Sequence, residues 1–238
     1  KYQIKMLNDG PLPDFFDRKN FFDIAKKKLT DAGYVRAGFE SYVLPGDPIH
    51  EAMKNEQAYY NALGVQKGAA TNFVSVGTSA QQSLGDDYYA QNFYSLNHYK
   101  DKLDENILPI FRGIKLNDDD KIRRAITGYI RTYFHVDFTK VENEFNINFK
   151  EYFSSELNNL SEFIADELVI LSDNDIKITE LGFNFAPQIA NVFDKYNPPT
   201  HNAESRLAQI KEVAVHPSWL KVLIFKIFFF ILVNLFFK

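Results

Sequence analysis

The 238 residues contain no cysteine. That excludes disulfides, thiolate nucleophiles and any metal site built on sulfur. The absence is silent about compartment, because a cysteine-free chain suits either redox state. A positive charge excess is also missing: 27 Lys and Arg face 31 Asp and Glu, for a net charge of −4. Long-range attraction to nucleic acid is therefore not expected. No signal peptide is visible at the N-terminus, and a cytoplasmic location is expected. The chain opens on Lys1 and not on Met, which suggests a piece of a longer protein. Its apolar and charged fractions, 45% and 24%, are those of a soluble globular protein, with room for one full domain and a smaller one.

The stretch 73–92, FVSVGTSAQQSLGDDYYAQN, organises the reading. Phe73, Val74, Ser75 and Val76 read as a short buried strand that stops at Gly77. A loop of small and amide side chains follows, and a helix opens near Asn92. In an α/β protein the loop after a parallel strand is where ligands sit. Gly77, Ser79 and Ala80 let a ligand approach the backbone, and Thr78, Ser79, Gln81 and Gln82 offer uncharged hydrogen bonds. Asp86, Asp87, Tyr88, Tyr89, Gln91 and Asn92 form a polar, aromatic rim. An ordinary strand and surface loop would read the same way.

Ahead of this stretch, Asp14 or Asp17 caps a helix that runs to about Asp31 and ends at Gly33. Residues 34–39 then read as a strand, with Glu40 just past its end as a candidate acid or base. Residues 50–57 read as a short helix. Behind it, a helix to about Glu105 is capped by Asn92 or Ser95. Residues 110–116 read as extended, and Asp118, Asp119 and Asp120 open the next helix at its positive end. From residue 146, helices at 151–153 and 156–166, a hairpin over 168–179 and a helix over 181–196 make a winged-helix-like block. That fold often binds DNA. Residues 141–196 carry three lysines, no arginine and eleven acids, which would repel phosphates. The block therefore reads as a cap, with no nucleic-acid partner.

Residues 222–238 hold only three polar side chains, which is near the short limit for a membrane span. Trp219 and Lys221 ahead of the run and Lys238 at its end suit interfacial anchors. The run is either a membrane contact or AT-rich DNA translated past a stop.

Gly77-Thr78-Ser79-Ala80, then Gly85-Asp86, then Tyr89-Ala90-Gln91-Asn92 resemble the oxygen-independent coproporphyrinogen III oxidases, which are radical S-adenosylmethionine (SAM) enzymes. The likeness continues through Phe111-Arg112-Gly113-Ile114 and Asp120-Lys121-Ile122-Arg123-Arg124, and covers about residues 1–210. It implies an α/β fold. Residues 1–116 would be the C-terminal part of an incomplete parallel (β/α) barrel, residues 117–200 a mainly helical cap with a small hairpin, and 201–238 a tail. It implies SAM-dependent oxidative decarboxylation of coproporphyrinogen III to protoporphyrinogen IX in haem biosynthesis. Gly77, Ser79, Ala80 and Gln81 would meet SAM, and Arg112 would meet a carboxylate of the porphyrinogen, with Arg123 and Arg124 as further cations. The 4Fe–4S cluster of the family needs thiolates, so its ligands lie outside this chain, in a missing N-terminal half that would be the chain's partner.

The sequence departs from the family at three places. Ser41 replaces a histidine next to the reaction centre. Leu63 replaces a glutamine thought to contact SAM, with Lys67 bringing a charge nearby. Gln81 replaces an isoleucine. These leave open a haem-binding or haem-trafficking relative, or an inactive truncated remnant. The cysteine-free chain alone is not expected to run the radical chemistry.

Overall fold

The computed structural model describes residues 13–68, 72–85 and 87–196. The apolar run at 222–238 lies outside the described residues, as do residues 201–212 and Asp86. Among the described residues, no helix is long and apolar enough to cross a membrane.

Helix α1 (Phe15–Asp31) starts where the sequence signals it. Asp14 caps it, and Asp17 returns the bond in a capping box, so two orphan amides are satisfied reciprocally. Two hairpins follow. Strands β1 (Val35–Ala37) and β2 (Ser41–Val43) pair antiparallel. After α2 (Pro48–Lys54), β3 (Ala58–Asn61) pairs antiparallel with β4 (Gly64–Lys67).

Both hairpins rest on the long helix α4 (Asp118–Tyr133). The Phe39 amide donates to the Arg131 carbonyl at 2.8 Å. The Tyr133 hydroxyl donates to the Ala58 carbonyl at 2.7 Å and accepts from the Ala58 amide at 2.9 Å. Gly38 is required at this approach. Its φ is +70°, and a Cβ there would overlap Val65 Cγ2 and lie 2.8 Å from the Arg131 carbonyl.

The third sheet is β5 (Gln81–Leu84), β6 (Tyr88–Asn92) and β7 (Ile110–Lys115), in that order. Helix α3 (Leu96–Asp104), capped by Ser95, connects β6 to β7. Beyond α4 come β8 (His135–Asp137), α5 (Phe138–Phe145), α6 (Phe149–Tyr152), α7 (Ser154–Asn158), α8 (Ser161–Ala165), β9 (Val169–Leu171) and β10 (Asp175–Ile178). A 3₁₀ turn (Gly182–Phe185) and α9 (Ala186–Asn191) close the described chain. Strand order in this last sheet is β8-β10-β9. Ile126, Ile130, Phe149, Phe153, Leu160, Ile176, Ile189 and Phe193 form the main core here, fully buried between α4, the short helices and the sheet.

Three expectations need correction, the first being the helix over 156–166, which is interrupted at 159–160 between α7 and α8. The parallel sheet expected for residues 1–116 is not formed by the described strands, every pairing of which is antiparallel. β1 and β2, β3 and β4, and β5 and β6 are each joined by three residues or fewer, too short for a parallel crossover. The single helix expected over 181–196 is broken into a 3₁₀ turn and α9. At Gly182 the backbone lies so close to the Leu168 carbonyl that a Cβ would overlap it, and Pro187 sits in the first turn of α9.

Candidate functional site

Residues 73–92 fold differently from the strand–loop–helix reading. Phe73 makes one antiparallel bridge, to Ser83, and residues 74–76 belong to no strand. The apolar side chains point the wrong way for a buried strand: Val76 is 90% exposed, while Ser75 turns inward and its hydroxyl donates to the Gln81 carbonyl at 2.6 Å. The ligand loop shrinks to a turn at 77–80, and Gln81 and Gln82 belong to β5.

The turn is clamped by the last residues of β6 and the residue after it. Gly77 takes φ +103° and Ser79 φ +61°, both left-handed. The Ser79 amide donates to the Phe93 carbonyl and the Asn92 amide to the Ala80 carbonyl, each at 2.9 Å. Asn92 is 3% exposed. Its side chain donates to the Gly77 carbonyl at 3.1 Å and accepts from Gln82 Nε2 at 3.0 Å. Gln91 Nε2 donates to the Ser79 carbonyl at 3.2 Å. The Gly77 amide donates to the Tyr99 hydroxyl on α3 at 2.9 Å.

The amides of Gly77 and Ser79 are thus spent inside the protein. What the turn offers a ligand is side-chain chemistry from Thr78, Ser79 and Gln81, all three exposed. A Cβ at Gly77 would meet nothing within 4 Å, so the glycine serves backbone shape, and the space beside it is open.

Register brings the second candidate alongside. Gln81 pairs with Gln91, and Gln91 with Arg112, directly across three strands. These three side chains form one row on one face of the sheet. Arg112 Nε donates to Gln91 Oε1 at 2.9 Å. Together with Tyr89, Ala90, Gly113 and Ile114, Gln81 and Arg112 border an open depression of about 350 Å³. Gln91, Asn92 and Tyr99 are the residues the sequence reading undervalued. The signal was there: Gly85 and the two acids after it, between 81–84 and 88–92, mark a hairpin, and a hairpin folds β6 back onto the turn.

Of the other cations, Arg123 is taken up elsewhere, while Arg124 packs on Tyr89 at the border of the depression. Arg123 closes onto Asp119 at 2.9 Å and Glu156 at 2.8 Å, and donates to the Phe193 carbonyl at 3.1 Å. Asp119 also accepts from Tyr152 at 2.8 Å and Lys195 at 2.7 Å. Burial opposes its charge, but these three donors hold its carboxyl below the usual range. Arg123 is thus a structural pin between α4, α7 and the end of α9. Arg124 stacks over Tyr89, 5.9 Å from the ring centre.

Glu40 accepts from the Tyr60 hydroxyl at 3.0 Å. Burial, then the Glu40 charge, push the Tyr60 phenol up to about 12. Ser41 lies on β2, and Leu63 sits 50% exposed at the tip of the β3–β4 hairpin. Lys67 ends β4, so it belongs to a different sheet from Arg112.

No family model matches the chain. Curated proteins do. It is 31% identical over 194 residues to an oxygen-independent coproporphyrinogen III oxidase of Pseudomonas aeruginosa, covering 82% of this chain and 42% of that one. The namesake of Salmonella typhimurium is 31% identical over 192 residues, with 81% and 42% covered. Among solved structures, the coproporphyrinogen III oxidase of Escherichia coli, described as a radical SAM enzyme, matches with a TM-score of 0.72 and 29% identity. That match covers 78% of this chain and 42% of the other. Over about four-fifths of its own length the chain is similar to part of the oxygen-independent coproporphyrinogen III oxidases.

It spans about two-fifths of the length of the oxidases it matches. The two cofactors of the oxidase family fare differently against its residues. An iron–sulfur cluster does not fit, because there is no thiolate, and no cluster of metal-binding side chains occurs among the described residues. SAM fits better. The open space at Gly77 and the uncharged side chains of Thr78, Ser79 and Gln81 could take its hydrogen-bonding groups.

Proposed function

We propose that this chain supplies a ligand-bearing sheet to an oxygen-independent coproporphyrinogen III oxidase, which decarboxylates coproporphyrinogen III oxidatively to protoporphyrinogen IX. One observation carries the reading. The turn at 77–80 and Arg112 are distant in sequence, and register brings Gln81 and Arg112 to the edges of one depression. Side chains at 78, 79 and 81 would hold SAM, and Arg112 would hold a propionate of the substrate. An arginine fork pairs a carboxylate through two parallel hydrogen bonds, which fixes both its position and its plane. Bound SAM supplies the radical; the residues here hold and orient.

Electron delivery to SAM needs thiolate-bound iron, so the partner is the part of the family fold that this chain does not span. The surface supports such a partner. Strand β7 is an edge strand with all six residues exposed. Phe111 is 47% exposed, Tyr94 72% and Leu108 74%. An apolar strand edge left open invites pairing. We read residues 1–116 as adjoining the barrel of the oxidase and 117–200 as its cap. The order helix, strand, helices, strand, strand, with the last strand central, supports a winged-helix-like cap. The enzyme would work in the cytoplasm. A haem-trafficking role gains no support, since the related proteins are named as oxidases.

Co-expression with the part of the Pseudomonas aeruginosa oxidase that this chain does not span tests the proposal. Anaerobic formation of protoporphyrinogen IX, dependent on both pieces and on SAM, is expected. No turnover, in conditions where the two separated pieces of that oxidase do restore activity, would overturn it.

A further inference from the structure

Gln91 touches both halves of the site. Its Nε2 donates to the Ser79 carbonyl at 3.2 Å, and its Oε1 accepts from Arg112 Nε at 2.9 Å. The orientation of the amide follows from chemistry. A carbonyl can only accept and a guanidinium can only donate, so a flipped amide would lose both bonds. Gln91 therefore ties the left-handed residue of the turn to the guanidinium on the neighbouring strand.

The consequence for Arg112 is geometric. A guanidinium can take a carboxylate side-on, through Nε and one Nη, or end-on, through both Nη atoms. Gln91 occupies Nε. Among the described residues the two Nη atoms meet no acceptor, so the end-on approach is what remains. Tyr89 and Ile114, paired in register and half-exposed, stand beside Gln91 and Arg112 on the same face and give a flank of ring and aliphatic surface, with Arg124 over the Tyr89 ring. Gln81 stands on the far side of Gln91, two strand spacings or roughly 10 Å from Arg112.

We propose that Gln91 is a positioning residue that determines specificity: it locks Arg112 to receive one carboxylate end-on from a flat apolar body, and couples that lock to the turn at 77–80. This rests on the reading of Arg112 as a carboxylate site. It explains why a polar, uncharged residue stands here. Leucine would free the guanidinium to swing. Glutamate would take the guanidinium itself and repel the Ser79 carbonyl.

The test titrates the full chain with coproporphyrin III, a stable tetracarboxylate, and follows fluorescence. Arg112→Ala should weaken binding about tenfold, the loss of one charge-assisted pair. Gln91→Leu should weaken it roughly fivefold, and the double variant should bind no worse than Arg112→Ala alone, because one residue acts through the other. Gln91→Glu should fall at least as far as Arg112→Ala. A second readout needs no ligand: the Arg112 Nε–H resonance should be protected from exchange in the wild type and in fast exchange in Gln91→Leu. Additive losses in the double variant, or a Gln91→Leu protein with wild-type affinity and a protected Nε–H, would overturn the proposal. If wild type and Arg112→Ala bind alike, the carboxylate reading of Arg112 fails, and the specificity role of Gln91 falls with it. The Nε–H signal then still decides whether Gln91 holds the guanidinium.

Discussion

Replacing Asn92 by Asp is the sharpest perturbation of the turn. The change is isosteric, so no cavity opens and packing is untouched. At present the side chain is 3% exposed, accepts from Gln82 Nε2 and donates to the Gly77 and Ser75 carbonyls, at 3.1 and 3.5 Å. An aspartate oxygen at the donor position faces two carbonyl oxygens. Two attractive contacts become repulsive, and a buried charge is left with one amide donor from a side chain. Losing a buried hydrogen bond and leaving its acceptor unpaired costs about 1–3 kcal/mol, and an unpaired buried charge adds to that. About 3 kcal/mol in all is expected at pH 7, read as a fall in the urea midpoint with little change in slope. The amides of 77–80 should exchange with solvent faster.

The deficit should also depend on pH. Burial and the two carbonyls raise the folded pKa of the new carboxyl above its unfolded value. A raised folded pKa means the contribution is present below the unfolded pKa and lost as pH rises through the folded one. Measured against wild type at each pH, Asn92→Asp should therefore recover toward pH 4, where a neutral carboxyl can donate again. Equal stability at pH 7, or unchanged exchange at 77–80, would refute the clamp.

Other variants test the scaffold. Gly38→Ala forces a Cβ against Val65 and the Arg131 carbonyl at positive φ, and should lower stability by about 2–4 kcal/mol in a urea titration. Tyr133→Phe removes both bonds to Ala58, and should cost about 1–2 kcal/mol while leaving the exchange rates of β5–β7 unchanged. Lys177 first, then Ser172, with His135 also contributing, hold the Asp175 carboxyl down to about 2. A depressed folded pKa stabilises above the unfolded value and is lost as pH falls through the folded one. Asp175→Asn should therefore flatten the loss of stability between about pH 4 and pH 2, followed by thermal melts.

Local chemistry was legible where it is decided locally. Asp14 and Ser95, each offered beside one alternative, cap their helices through a short polar side chain just ahead of the first turn. The hairpin of β9 and β10 was legible for the same reason. The stretch 73–92 was not. A short apolar run carries no sign of which face is buried, and here inward polar bonds from Ser75 and Asn92 turn the valines outward. Arg112 and the turn were each legible as candidates. Their junction was not, because the pairing of Gln91 with Arg112 depends on register across strands separated by α3.

The most direct measurement is amide chemical-shift mapping of the full chain during titration with SAM. Shifts clustered at residues 77–81 and at Gln91, diminished in Asn92→Asp, are expected. Saturable binding whose shifts gather on another sheet and spare this turn would contradict the site.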